Sequence, residues 1–408
     1  MKELQRKYAL TLLKTCLKIE KKQPLFISFN IERIDFVRIV AEEAYKLGVT
    51  DIYYDISDPY LRHEALKYLE IEDLKKHQFW NKDIWNTYAE KGAAFLMLAS
   101  TTPGLMEDIP PSKISTMTTY AQETRKRFDE LRDKSLVPWC IAAVPTTTWA
   151  EKIFPKEKKP VEKLWKTIFK ICSIDQNNPE QLLNEEIKLL EKRSKILNNL
   201  KIKKLRYTNS LGTNLEIELP KNHIWSSGCE KIATGKEVLV NYPTKEIFTS
   251  PNCNSANGIV YSSRPLSYQD HIIKDFSLTF KDGKVISFDA KEGKDMLESL
   301  LKSTPGIDYL GEVALVPFDS SISNSNLIFY ETLFDENASC HLALGCSFNE
   351  CIENGINMTE EELLESGLNQ CLNHVDFMIG TSDLNITAIT ENNEEITIFE
   401  NGNFSKNF

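Results

Sequence analysis

Four short apolar runs in the first 150 residues are separated by stretches with helical spacing. This alternation constrains the fold more than any other feature of the chain. The runs are LFISF (25–29), DIYYDI (51–56), AAFLMLAS (93–100) and VPWCIAAVP (137–145). Between the first two, ERIDFVRIVAEEAYKL (32–47) has an amphipathic helical pattern that stops at Gly48. Further helices are expected at 2–20, 58–69, 73–91 and 111–134. Strands joined through helices run parallel, and the helices cover the sheet. No GxGxxG and no GxxxxGK motif ending in Ser or Thr follows any of the runs, so a nucleotide site is unsupported.

The pattern changes near residue 200. Two helical stretches (161–172 and 180–200) lead into β-rich sequence: KKLRYTN, NLEIELP, EVLVNYP and LTFKDGKVISF, the last with an Asp-Gly hairpin turn. Helices are expected only at about 292–303 and 360–372, and a strand pair at 384–399. The fold class implied is an α/β N-terminal domain with a parallel sheet (1–205), followed by a β-rich α+β domain (206–408).

Composition narrows the function. With 41% hydrophobic and 26% charged residues the chain is neither disordered nor fibrous. No apolar run approaches the roughly 18 residues of a membrane span. The first residues carry no signal-peptide core. The nine cysteines are odd in number and form no CxxC, so reduced thiols and a cytoplasmic location are expected. Residues 1–200 hold 33 basic and 29 acidic side chains, whereas 201–408 hold 16 and 30. The acidic second half argues against nucleic acid and suits cations, either metal ions or positively charged substrate ends.

The chain has six histidines. In NHVDFMIG, period-two alternation places His374 and Asp376 on one face of a strand, where they can ligate a metal or form a simple polar pair. In LFDENASCHLALG, Asp335 or Asn337 is placed to cap a helix running through His341, with Glu336 near its start. Glu246 (NYPTKEIFTSP) and Glu312 (DYLGEVALVPF) sit in apolar surroundings. A buried carboxylate needs a partner, so Glu312 lies either on a solvated edge strand or at a metal. Asn337-Ala-Ser339 matches the glycosylation pattern, which has no meaning without secretion. Cys340 reads as a small buried residue rather than a nucleophile.

The blocks NYPTKEIFTSP with SSRPL, GEVALV, FYETLFDENASCHLALG and HVDFMIG, in this order and spacing, resemble the thermophilic aminopeptidase family, the aminopeptidase T and aminopeptidase S group of metallopeptidases. The resemblance is close over the C-terminal half and looser over the N-terminal half. It implies a metal-dependent aminopeptidase that releases N-terminal residues through a water activated by two divalent metal ions per subunit: zinc, cobalt, manganese or magnesium. It implies Glu246, Glu312, Glu336, His341, His374 and Asp376 as metal ligands, with Glu312 also the catalytic base. Peptides with a free N-terminus are the implied substrates, and a homodimer the implied assembly. Four carboxylates and two neutral histidines balance two divalent charges, in keeping with this set.

One position departs from the family pattern, which has a tyrosine seven residues after the DENxxCH histidine. Here that residue is Phe348. Tyr330 or Arg264 could substitute as the hydrogen-bond donor. The departure keeps open a metal- or peptide-binding protein with reduced catalysis; a metal-dependent hydrolase of a non-peptide amide is a third reading.

Overall fold

The structure is a computed structural model that describes residues 1–74, 83–269 and 271–408. It divides into two compact units. The first comprises Met1–Glu185 and Cys229–Pro243, the second Glu186–Gly228 and Thr244–Phe408. The chain thus crosses between units at three points rather than at one cut near 205.

The first unit is built on a five-stranded parallel sheet. The order is Asn241–Tyr242, Trp139–Ala143, Ala94–Ala99, Leu25–Asn30, Ile52–Ser57. Leu25, Phe26 and Ile27 are all fully buried. Successive strand residues point to opposite faces, so both faces of this strand are covered. One cover is aromatic: Phe26 stacks on Phe95 at 4.8 Å, and Phe95 meets Phe128 at 4.6 Å. EVLVNYP, in the β-rich half of the sequence, divides into Glu237–Leu239 and Asn241–Tyr242, and the latter joins the parallel sheet beside Trp139–Ala143. The helix expected at 111–134 is two helices, Pro111–Thr124 and Lys126–Asp133, broken where Arg125 leaves helical geometry (φ −111°, ψ 18°). Of the stretch 73–91, Ile84–Glu90 is helical, and residues 75–82, which include His77, lie outside the described residues.

The second unit contains two antiparallel sheets. The larger, of nine strands, includes the Asp-Gly hairpin: His271–Lys281 and Lys284–Glu292 flank Asp282 (φ 49°) and Gly283 (φ 82°). Both turn residues are left-handed, as a tight two-residue hairpin turn requires. The smaller sheet runs His374–Met378, His341–Gly345, Leu310–Leu315, Ile247–Thr249, Ser226–Ser227. One hydrophobic core takes residues from both sheets, including Leu205, Leu215 and Phe276 from the larger and Val313, Leu342 and Phe377 from the smaller. The helix expected at 360–372 is only Glu360–Glu365. It opens with a Thr359/Glu362 capping box and stops before Gly367, whose φ of +91° ends helical geometry.

Candidate metal centre

The smaller sheet divides its side chains by parity. Pairing aligns Val313 with Leu342 and Leu342 with Phe377, and these face the core. The alternate row aligns Glu312 with Ala343 and Ala343 with Asp376, while Gly345 pairs with His374 and His341 with Ala314. Glu312, His341, His374 and Asp376 therefore share the other face. Glu246 precedes the neighbouring strand Ile247–Thr249. Leu310–Leu315 is buried at every position and lies inside the sheet, so Glu312 is not on a solvated edge.

Ligand-type atoms converge in two groups, each within 4.8 Å: Glu246, Glu312 and His341, and Glu312, His374 and Asp376. Glu312 belongs to both. Glu336 is in neither group, yet its buried carboxyl is raised well above the usual range by burial and by the charges of Glu246, Asp376 and Glu312. His63, by contrast, pairs with Asp108 at 2.7 Å in the first unit.

Each imidazole is oriented through its outer nitrogen. His374 Nδ1 donates to the carbonyl of Cys346 at 2.8 Å, which turns Nε2 toward Glu312 Oε2 and Asp376 Oδ1, each 3.1 Å away. The Cys346 carbonyl is placed by Gly345. At φ +100° its missing Cβ would stand 2.0 Å from the Asn373 carbonyl. His341 Nδ1 lies 3.3 Å from the Ser339 carbonyl, and its Nε2 lies 3.6 Å from Glu246 Oε2. An imidazole held at Nδ1 by a carbonyl, with Nε2 turned into carboxylates, is the usual setting of a metal-ligating histidine. The mixed carboxylate and imidazole donors fit divalent cations.

The charges of the centre act strongly on one another. Burial raises Glu246 to about 7, opposed by His341 and helped by Glu312 and Asp376. Burial would lower both histidines, but Asp376 and Glu312 raise His374 well above its ordinary value, and Glu312, Asp376 and Glu246 raise His341. Burial likewise opposes ionisation of Asp376, yet His374 brings it down to about 2.

His341 is not helical. Thr332–Asp335 forms one short helix, Glu336–Ala338 a single tighter turn, and Ser339 is extended (φ −163°, ψ 171°) before the strand His341–Gly345. The two expected caps are engaged elsewhere. Asp335 accepts from the backbone N–H groups of Phe329 and Glu331, and Asn337 binds Lys245, Leu333 and Glu336. With no cap, the apolar run HLALG pairs between two strands and buries completely.

The Arg264 guanidinium donates to the Leu327 carbonyl and to Ser323 Oγ, both at 3.2 Å. Tyr330 has a left-handed backbone (φ 55°) just ahead of the Thr332–Asp335 helix. The Phe348 ring lies 4.8 Å from the His374 ring and 5.2 Å from Phe248. Cys340 is buried, with Sγ 3.4 Å from the Val316 carbonyl, as a small packed residue should be. One group went unnoticed in the sequence: Glu331, whose buried Oε2 has no hydrogen-bond partner among the described residues. Its signal was a polar side chain among residues that otherwise pack. Asn337, read there as a helix cap, is fully buried beside Glu336.

Comparison with known proteins identifies the family. Aminopeptidase 2 of Geobacillus stearothermophilus is 38% identical over 406 residues, covering 99% of this chain and 98% of that protein. Aminopeptidase AmpS of Bacillus subtilis is 35% identical over 400 residues, covering 98% and 97%. The solved structure of wild-type AmpT from Thermus thermophilus superposes with a TM-score of 0.92 at 29% identity, covering 99% of both chains. A family model described as thermophilic metalloprotease (M29) matches residues 1–404. This chain therefore belongs to the thermophilic metalloprotease (M29) family and is a peptide-bond hydrolase.

Proposed function

We propose that this protein is a two-metal aminopeptidase that releases N-terminal residues from peptides. The observation that carries the reading is the membership of Glu312 in both three-residue ligand groups, as a carboxylate bridging two cations requires. The aminopeptidase names of its relatives support the substrate class. Glu246, Glu312, Glu336, His341, His374 and Asp376 would hold the ions, and zinc, cobalt, manganese or magnesium suit such donors. The ions, when bound, supply Lewis-acid polarisation of the scissile carbonyl and a lowered pKa for the attacking water.

The chain's own residues supply the rest. Glu312 takes the water's proton and delivers it to the leaving amine. The Cys346 carbonyl, accepting from Nδ1, fixes the His374 ring so that Nε2 faces Glu312 and Asp376. The substrate's free α-amine would bind one of the ions or an acidic side chain of the centre, which restricts cleavage to the first residue. A cytoplasmic homodimer completes the reading.

A second reading, a peptide-binding protein with reduced catalysis, draws on the phenyl ring of Phe348 beside His374. One assay separates the two. Metal-loaded protein is offered free and N-acetylated short peptides, with Glu312→Gln in parallel. Stepwise release of residues from free peptides alone, lost in Glu312→Gln, is expected. Binding of free peptides with no turnover at full metal loading would leave the second reading standing.

A further inference from the structure

We propose that Asn337 is a positioning residue that ties the two ligand-bearing segments of Glu246 and Glu336 to each other. The inference rests on the reading that these glutamates bind metal.

The Asn337 side chain is fully enclosed and makes three hydrogen bonds. Its Oδ1 accepts from the backbone N–H of Lys245 at 2.7 Å. Its Nδ2 donates to the Leu333 carbonyl at 3.1 Å and to Glu336 Oε1 at 3.2 Å. The amide has only one workable orientation. Turned over, its NH2 would face an N–H, and its oxygen would face a carbonyl and a carboxylate. An asparagine supplies both kinds of contact, whereas a carboxylate lacks the donors.

The three bonds have a common effect. Lys245 is the residue before Glu246 and lies 92 positions from Asn337. The ammonium of Lys245 also pairs with Glu186, so this residue is held at its backbone and at its tip. On the other side, Nδ2 pins Glu336 Oε1 and leaves Oε2 as the oxygen to turn toward the centre. A neutral cross-link between the two segments fixes the Lys245 backbone and the Glu336 carboxyl relative to one another, and so keeps both carboxylates near their cation-binding positions. Outer-shell hydrogen bonds of this kind typically matter 10–100-fold in metal affinity.

The test is metal affinity of wild type and Asn337→Ala, measured by competition with a chromophoric chelator using zinc, alongside the visible spectrum of each protein loaded with cobalt. Expected are affinity lower by roughly 10–100-fold and a changed cobalt spectrum, in a variant that is still folded when chelated. A folded variant with affinity within about twofold of wild type overturns the inference while leaving the metal reading intact. A wild-type protein that binds no zinc overturns the metal reading itself. Hydrogen exchange of chelated wild type gives an answer that does not depend on the variant folding. The Lys245 amide should exchange far more slowly than an unprotected one, and exchange at the unprotected rate overturns the cross-link.

Discussion

His374 Nε2 lies 3.1 Å from Oε2 of Glu312, a residue 62 positions earlier, although the two stand on strands that are not neighbours. The strand between them presents Ala343 opposite Glu312 and Gly345 opposite His374. These are the two smallest residues available. Their lack of bulk lets side chains from the flanking strands meet across the middle one. The centre is thus built as much by what His341–Gly345 omits as by what its neighbours contribute.

Ala343→Val tests that relationship. Two added methyl groups at the fully buried Ala343 would stand between Glu312 and Asp376. Overpacking of this kind typically costs about 1–3 kcal/mol. The expected result is lower stability and a larger loss of metal affinity than Ala343→Gly causes. Equal zinc affinity in the two variants, each measured while folded, would count against the spacing argument.

Metal removal should abolish hydrolysis, and zinc, cobalt or manganese should restore it. Since ligands bind metal in their deprotonated forms, loading must expel protons from the raised Glu246, Glu336 and His374. Affinity should therefore weaken as pH falls through about 7, the value for Glu246. Calorimetry near that pH in two buffers of different ionisation enthalpy would report net proton release. Identical heats in the two buffers would contradict it.

Ligands and bystanders should separate cleanly. Replacing His341, His374 or Asp376 by Ala is expected to remove a metal equivalent by elemental analysis. His63→Ala should not, because His63 is paired with Asp108 in the other compact unit. Full metal content in all three ligand variants would show that these residues do not bind the ions.

Phe348→Tyr would place a phenol beside the His374 ring, 4.8 Å from the present phenyl. If a donor to the developing oxyanion is missing, kcat should rise while KM changes little, because the bond forms only in the transition state. One such donor is worth at most about 10²–10³ in rate. Steady-state kinetics at equal metal loading decide the matter. An unchanged or reduced kcat would show that Phe348 simply packs against Phe248 and His374.

Glu331 should make stability depend on pH. Burial, then the charge of Asp335, raises its carboxyl to about 8, against roughly 4.3 in an unfolded chain. The native state therefore holds a proton that the unfolded state releases. The stabilisation is complete at low pH and is lost as pH rises through about 8, by at most about 1.4 kcal/mol per pH unit. Urea denaturation of chelated wild type and Glu331→Gln should diverge in the variant's favour between pH 5 and pH 8. Parallel curves would mean that Glu331 is ionised in the native protein.

Local periodicity alone located much of this protein. The four apolar runs separated by helices could form only a parallel, covered sheet. The alternation of HVDFM placed His374 and Asp376 on one face, and GEVALV set a carboxylate in an otherwise apolar run, at an edge or at a metal. Those inferences depend on which side of a single element is apolar, and that is written in adjacent residues. Tertiary structure decided the rest. His341 starts a strand: Asp335 is engaged by Phe329 and Glu331 just upstream, and Asn337 reaches Lys245, 92 positions away, so neither caps a helix through it. Asn241–Tyr242 joins the parallel sheet from deep in the β-rich half because strand pairing obeys hydrogen bonding in space rather than order in sequence. Above all, the meeting of Glu312 with His374 depends on register across three strands. Register is set by burying one whole face of the sheet at once, a condition that no one strand carries.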